Sequence, residues 1–148
     1  MKRLVLCFDG TWNKPADDSL AEGGVETNVP RFRKLVRASG PDGVPQQTFY
    51  NAGVGTEWYN KVTGGALGMG LDNHILDGYR YLVKNYVDGD EIYIVGFSRG
   101  AYTARSLVGM LRNCGLVTPQ FGEAKILTAY GIYRARQDPV DSSTAAAF

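Results

Sequence analysis

The pattern G-x-S-x-G, which can carry nucleophilic chemistry, occurs here as Gly96-Phe97-Ser98-Arg99-Gly100. In this pattern the serine sits on a sharp turn between a strand and a helix, with its hydroxyl exposed at the carboxyl edge of a sheet. Glycine at positions 96 and 100 removes the Cβ atoms that would clash where strand and helix converge. The sequence therefore predicts Ser98 as a catalytic nucleophile, and the alternative is a tight strand-to-helix turn without catalysis.

A serine nucleophile needs N–H groups that bind the oxyanion formed during attack on a carbonyl carbon. The backbone N–H of Arg99 is one expected donor, because the N-terminus of a helix presents unpaired N–H groups. Removing one such donor typically costs about 2.7–4 kcal/mol of transition-state stabilisation. We expect a second donor, Gly10 or Thr11, from the loop after the first strand. The alternative for that loop is an Asx-type turn that ends a strand.

Other chemistries lack a required residue. Phosphatases of the haloacid-dehalogenase type use D-x-D-G-T, but Cys7 stands where their nucleophilic aspartate is needed before Asp9. The dinucleotide pattern fails because Gly53-Val54-Gly55 is followed by Trp58 where glycine is required, and no G-K-S/T motif is present. Two cysteines and one histidine offer no zinc site. We therefore predict no metal and no cofactor.

The elements that must position Ser98 alternate between strands and helices. An alternating order predicts an α/β fold with a parallel sheet, here three parallel strands with flanking helices. The predicted strands are residues 4–8, 47–52 and 91–95. The predicted helices are about 28–39, 73–87, 99–113 and 122–136, and a glycine-rich loop is predicted over 53–70. Apolar spacing places five residues on the inner face of the third helix: Ala101, Ala104, Leu107, Val108 and Leu111.

The composition fits one domain with a real core. The chain has 148 residues, of which 44% are hydrophobic and 21% are charged, which excludes disorder along the whole chain. A net charge of +1 supplies no field for a polyanion, so we predict no nucleic-acid partner. No apolar stretch is long enough to predict a transmembrane segment. Cys7 and Cys114 are expected to be buried or partly buried free thiols.

Four separated motifs resemble one known family. They are Phe8–Asn13, Tyr50–Thr56, Tyr86–Ile92 and Gly96–Arg105, in the family's order. The chain resembles the α/β-hydrolase domain family that includes phospholipase effectors of the bacterial type VI secretion system. The resemblance implies a serine hydrolase of carboxylic esters, with phospholipids as the narrower substrate class. It identifies residues 1–136 as the N-terminal part of a catalytic domain of partial α/β-hydrolase type, and we expect residues 137–148 to be a frayed tail.

The acid and the histidine that would complete a catalytic triad are not found after Ser98. His74 precedes it and is expected to be a surface residue at a helix N-terminus. The later acids, Glu123, Asp138 and Asp141, follow no predicted strand. In the family that the chain resembles, both partners come later, so we expect them beyond residue 148 and expect the isolated chain to be weak or inactive. The alternative is a non-catalytic hydrolase-like binding module or an inactive truncated remnant.

The resemblance also bears on partners and location. It implies an ester or lipid substrate, and it leaves contact with a membrane surface open through apolar residues of the 53–70 loop, including Trp58, Tyr59, Leu67 and Met69. The expected location is the cytoplasm of the producing cell, with export by a route that needs no signal peptide as a further option. The sequence does not predict an oligomeric state.

Overall fold

A computed structural model describes residues 1–10, 26–53 and 69–135 of the chain. Thr11, residues 54–68 of the predicted loop and the predicted tail lie outside the described residues. The strands are β1 (Arg3–Phe8), β2 (Gln46–Asn51) and β3 (Glu91–Gly96). The helices are α1 (Asn28–Leu35), α2 (Met69–Asn85), α3 (Arg99–Cys114) and α4 (Gly122–Arg134), with a short 3-10 turn at Pro119–Phe121.

The three strands form a parallel sheet in the order β2-β1-β3. This confirms the predicted α/β fold with three parallel strands and flanking helices. Phe8 at the end of β1 is in register with Asn51 of β2 and with Gly96 of β3. The carboxyl ends of all three strands therefore meet at one edge, and the segments that follow them are brought together there.

The central strand β1 is buried on both faces, as its uninterrupted apolar run predicts. Leu4, Leu6 and Phe8 pack into the main core with α2, α3 and α4. Val5 and Cys7 point to the opposite face, where Val29 of α1 covers them. Helices therefore lie on both faces of the sheet, and β1 holds the two cores together.

The inner face of α3 differs from the prediction. Val108 is 51% exposed, whereas Met110 and Cys114 join Ala104 and Leu107 in the core. The reason is angular, because each helical residue turns by about 100°, and the residue next to Leu107 points away from the sheet. Helix α2 begins at Met69, before the predicted start at residue 73.

Ion pairs stabilise the amino-terminal edge of the sheet, at the opposite end of the strands from the serine turn. The Asp90 side chain is 2% exposed and forms an ion pair with Lys2. Asp90 also accepts hydrogen bonds from the backbone N–H groups of Lys2 at 2.8 Å and Val87 at 2.9 Å. These bonds, the Lys2 ammonium above all, lower the pKa of Asp90 to about 2. Arg3 pairs nearby with Asp42 at 2.5 Å.

Both cysteines are free and buried, as predicted. Burial raises the pKa of the Cys7 thiol to about 11. The Cys114 thiol donates to the carbonyl oxygen of Ala129 at 3.2 Å, which ties the end of α3 to α4. Among the described residues, no helix is both long and apolar enough to cross a lipid bilayer.

Candidate active site

Ser98 occupies a strained turn between β3 and α3. Its φ is 54° and its ψ is −124°, and it is the one non-glycine residue with positive φ among the described residues. Such a conformation costs an L-residue about 1–3 kcal/mol and persists only where the surrounding structure imposes it. The residue is exposed and makes no side-chain cap bond to the helix that it begins. The hydroxyl is therefore presented outward at the carboxyl edge of the sheet.

Two glycines make this turn possible by allowing backbone to touch backbone. A Cβ atom on Gly96 would lie 2.4 Å from the carbonyl oxygen of Gly100. A Cβ atom on Gly100 would lie 2.2 Å from the carbonyl oxygen of Phe8 and 2.6 Å from that of Asp9. Real Cβ atoms do not approach other atoms so closely, so α3 can be seated on the end of β1 only with glycine at position 100.

The first turn of α3 supplies a positive environment around Ser98. The N–H of Gly100 donates to the Phe97 carbonyl at 2.9 Å, and that of Ala101 donates to the Ser98 carbonyl at 3.0 Å. Arg99 is the first residue of the helix, and α3 contains three arginines and no acidic residue. The helix dipole favours an anion at this end, and the first turn of α3 contains no acidic residue to oppose it. Arg99 as an oxyanion donor remains a prediction.

The loop that leaves β1 is held by the buried side chain of Asp9, which is 1% exposed. Its Oδ1 accepts hydrogen bonds from the N–H of Gly10 and from the hydroxyl of Thr27, both at 2.7 Å. Its Oδ2 accepts one from the hydroxyl of Tyr50 at 2.9 Å. The N–H of Gly10, a predicted oxyanion donor, is thus directed at Asp9, and the other predicted donor, Thr11, lies outside the described residues.

Tyr50 and Gly53 extend this arrangement to the end of β2. The guanidinium of Arg33 lies 5.0 Å from the centre of the Tyr50 ring. Burial, together with the hydrogen bond to Asp9, raises the pKa of the Tyr50 hydroxyl. Gly53 has a φ of 75°, and a Cβ atom there would lie 2.7 Å from the Gly10 carbonyl oxygen. Sequence reasoning missed Asp9 and Tyr50 as site residues, although each lies at the carboxyl end of a strand.

His74 is not the surface residue that the sequence suggested. Both of its ring nitrogens are buried and have no hydrogen-bond partner among the described residues. Burial lowers its pKa, while Asp77 opposes that shift. Glu123 is engaged elsewhere, since it pairs with Arg80 at 2.5 Å, and Asp138 and Asp141 lie outside the described residues. No described contact brings His74 or Glu123 to Ser98.

Within the described ranges, no group of three or more His, Cys, Asp or Glu side chains is arranged to hold a metal ion. Among the described residues, the hydroxyls of Thr27 and Tyr50 and the N–H of Gly10 donate to the Asp9 oxygens.

The fold and the turn define an α/β domain with a strand–serine–helix junction at the carboxyl edge of a parallel sheet. The chain belongs to the family described as the type VI secretion system phospholipase effector Tle1-like catalytic domain, whose sequence model matches residues 2–147. The resemblance predicted from four motifs is confirmed. The family description makes this a match to a catalytic domain of the hydrolase class.

Among curated proteins, the chain is similar to the uncharacterized protein YEL023C of Saccharomyces cerevisiae. The two are 31% identical over an alignment length of 147, and the alignment covers 89% of this chain and 20% of the yeast protein. The chain thus spans about one fifth of the length of that relative. No solved structure matches the chain.

Proposed function

We propose that this chain forms the nucleophile-bearing part of a carboxylic-ester hydrolase that acts on phospholipids. The observation that carries the proposal is the positive φ of Ser98 at the junction of β3 and α3. Such strain is typical of functional sites, and this serine lies in the G-x-S-x-G pattern that places nucleophiles there. Membership of the phospholipase effector family supports phospholipid as the substrate class.

In the proposed reaction, the Ser98 hydroxyl oxygen attacks the carbonyl carbon of an ester. A general base takes the hydroxyl proton, and the carbonyl oxygen becomes an oxyanion stabilised by the N–H of Arg99. When the ester C–O bond breaks, the leaving alcohol takes that proton and the acyl group stays on Ser98. Water then releases the acyl group as a carboxylic acid. The base and its acid partner are not assigned to described residues.

A second oxyanion donor is expected from the β1 loop, on the other side of the serine turn. The N–H of Gly10 would reach an oxyanion only by exchanging its bond to Asp9 Oδ1, which is 2.7 Å long. A substrate oxyanion carries a charge comparable to that of the carboxylate. The Gly10 N–H would therefore exchange one charged acceptor for another and would keep a hydrogen bond. Thr11 is the alternative donor of the same loop.

The outer surface next to Ser98 suits an anionic lipid surface. Phe97 is 50% exposed and Tyr102 is 55% exposed, so apolar rings flank the serine. The exposed stripe of α3 continues through Arg105 and Arg112, neither of which forms an ion pair among the described residues. Aromatic side chains beside exposed arginines are typical of surfaces that contact phospholipid headgroups. This stripe supports contact with the membrane that carries the substrate.

A fluorophosphonate probe tests the proposal directly, because it forms a covalent adduct only with an activated serine. We expect mass spectrometry to locate the adduct on Ser98 and expect Ser98→Ala to abolish it. Ser39→Ala is the matched control, since Ser39 is an exposed serine outside the strained turn and its loss should leave labelling unchanged. Absence of label at Ser98 in the folded full-length protein would refute the nucleophile and favour a non-catalytic binding module.

A further inference from the structure

We infer that Asp9 is the positioning residue of the Ser98 site, an inference that rests on the function proposed above. Asp9 does not act on the substrate in this scheme. Its carboxylate fixes the end of β1, and the end of β1 is the surface on which the serine turn is seated. The carboxylate does so through the hydrogen bonds that it accepts and through the backbone contacts beside it.

The Asp9 carboxylate joins three separate segments of the chain. It accepts hydrogen bonds from the N–H of Gly10 in the β1 loop, from the hydroxyl of Thr27, which caps α1, and from the hydroxyl of Tyr50 in β2. The Thr27 hydroxyl also accepts from the N–H of Val29 at 3.3 Å, so the start of α1 is tied to the same point. A buried carboxylate is tolerated where its oxygens are paired in this way.

The serine turn rests on the backbone that Asp9 holds. The N–H of Phe97 donates to the Phe8 carbonyl at 3.0 Å, which continues the β1–β3 pairing up to Ser98. The backbone of Gly100 lies against the carbonyl oxygens of Phe8 and Asp9, with no room for one additional carbon. A shift of Asp9 would therefore displace both sides of the turn, because close-packed backbone transmits displacement.

Removal of the Asp9 carboxylate should slow the labelling of Ser98 by more than the loss of folded protein accounts for. We expect Asp9→Ala to slow labelling of Ser98 by about 100-fold per folded molecule, since a misplacement of about 1 Å can cost that much. Asp9→Asn should restore most of the rate, because its amide oxygen keeps two bonds and its amide nitrogen can donate to the Tyr50 hydroxyl.

Asp90→Ala is the matched control. Asp90 is also a buried carboxylate with backbone and side-chain donors, but it lies at the opposite edge of the sheet. We expect Asp90→Ala to lower the melting temperature while changing the labelling rate of folded protein by less than about threefold, because the serine turn is left in place. If Asp9→Ala and Asp90→Ala lose the same stability and slow the labelling of Ser98 equally, the inference is overturned.

Amide hydrogen exchange separates this inference from the proposed function. Asp9→Ala should speed exchange at residues 97–101, whereas Asp90→Ala should speed it near residues 90 and 91. If the full-length wild-type protein takes no label, the nucleophile proposal fails, and exchange alone decides the role of Asp9. Unchanged exchange at 97–101 in Asp9→Ala overturns it. If Asp9→Ala does not fold, Tyr50→Phe takes its place, because it removes one hydrogen-bond donor to the Asp9 carboxylate. Tyr50→Phe must then speed amide exchange at residues 97–101, and unchanged exchange there would refute the inference.

Discussion

Substitution of Gly100 by alanine is the sharpest test of how the serine turn is built. The new methyl carbon would lie 2.2 Å from the Phe8 carbonyl oxygen, 2.5 Å from its carbonyl carbon and 2.6 Å from the Asp9 carbonyl oxygen. All three obstructing atoms belong to the backbone at the end of the central strand. No rotamer change can relieve the contact, so α3 and β1 must separate.

The size of the effect follows from these distances. Non-bonded carbon atoms are most stable about 3.5–4.0 Å apart, so relief requires movement of about 1 Å. Overpacking typically costs about 1–3 kcal/mol, and rigid backbone partners place Gly100→Ala at the upper end. The better helix propensity of alanine returns about 1 kcal/mol. The net loss of about 2 kcal/mol corresponds to a melting temperature about 4–8 °C lower for a domain of this size.

Gly131→Ala provides the control within the same chain. Gly131 lies in α4, is exposed, and has nothing within 4 Å of an added Cβ. It should gain stability, by up to about 1 kcal/mol, from helix propensity alone. Thermal unfolding followed by circular dichroism compares the two variants. A Gly100→Ala protein as stable as Gly131→Ala would show that the backbone contact does not govern the turn.

Three further predictions concern other regions. Tyr79→Phe removes a hydroxyl that donates to the Gly115 carbonyl and accepts from the buried N–H of Val117, so urea unfolding should show a loss of about 1–3 kcal/mol. His74→Gln should flatten the fall in stability between pH 7.5 and 5.5, measured by urea midpoints. Because folding lowers the His74 pKa, the unfolded chain binds the proton first as pH falls below about 6.5, which favours unfolding. Arg105→Glu with Arg112→Glu should weaken co-sedimentation with anionic vesicles at least about tenfold without changing binding to neutral ones; equal binding to both vesicle types would contradict it.

The sequence predicted the parts of the fold that depend on local pattern. The apolar run of β1 indicated a strand buried on both faces, and the glycines at 96 and 100 indicated a crowded junction around Ser98. The network around Asp9 was missed, because it depends on strand register. Only the pairing of β1 with β2 brings Tyr50 beside Asp9, and the chain separates these residues by 41 positions.

Burial on helices was harder to predict than the helices themselves. His74 lies near the start of α2, where a polar residue is usually solvated, yet packing encloses its ring nitrogens. Val108 has the residue type of a core position but lies on the outer surface, since β1, α2 and α4 cover other sides of α3. Such outcomes are decided by which neighbours cover each side of a helix, and local periodicity contains little information about that.

The two buried cysteines can be used to measure how readily the protein opens locally. The thiolate is the form that reacts with alkylating agents, and a pKa of about 11 leaves Cys7 almost entirely protonated at neutral pH. Cys7 can react only after the central strand is released, whereas Cys114 needs only the junction of α3 and α4 to part. Alkylation rates of the two thiols in native buffer therefore report opening free energies at two depths of the molecule, without an introduced probe.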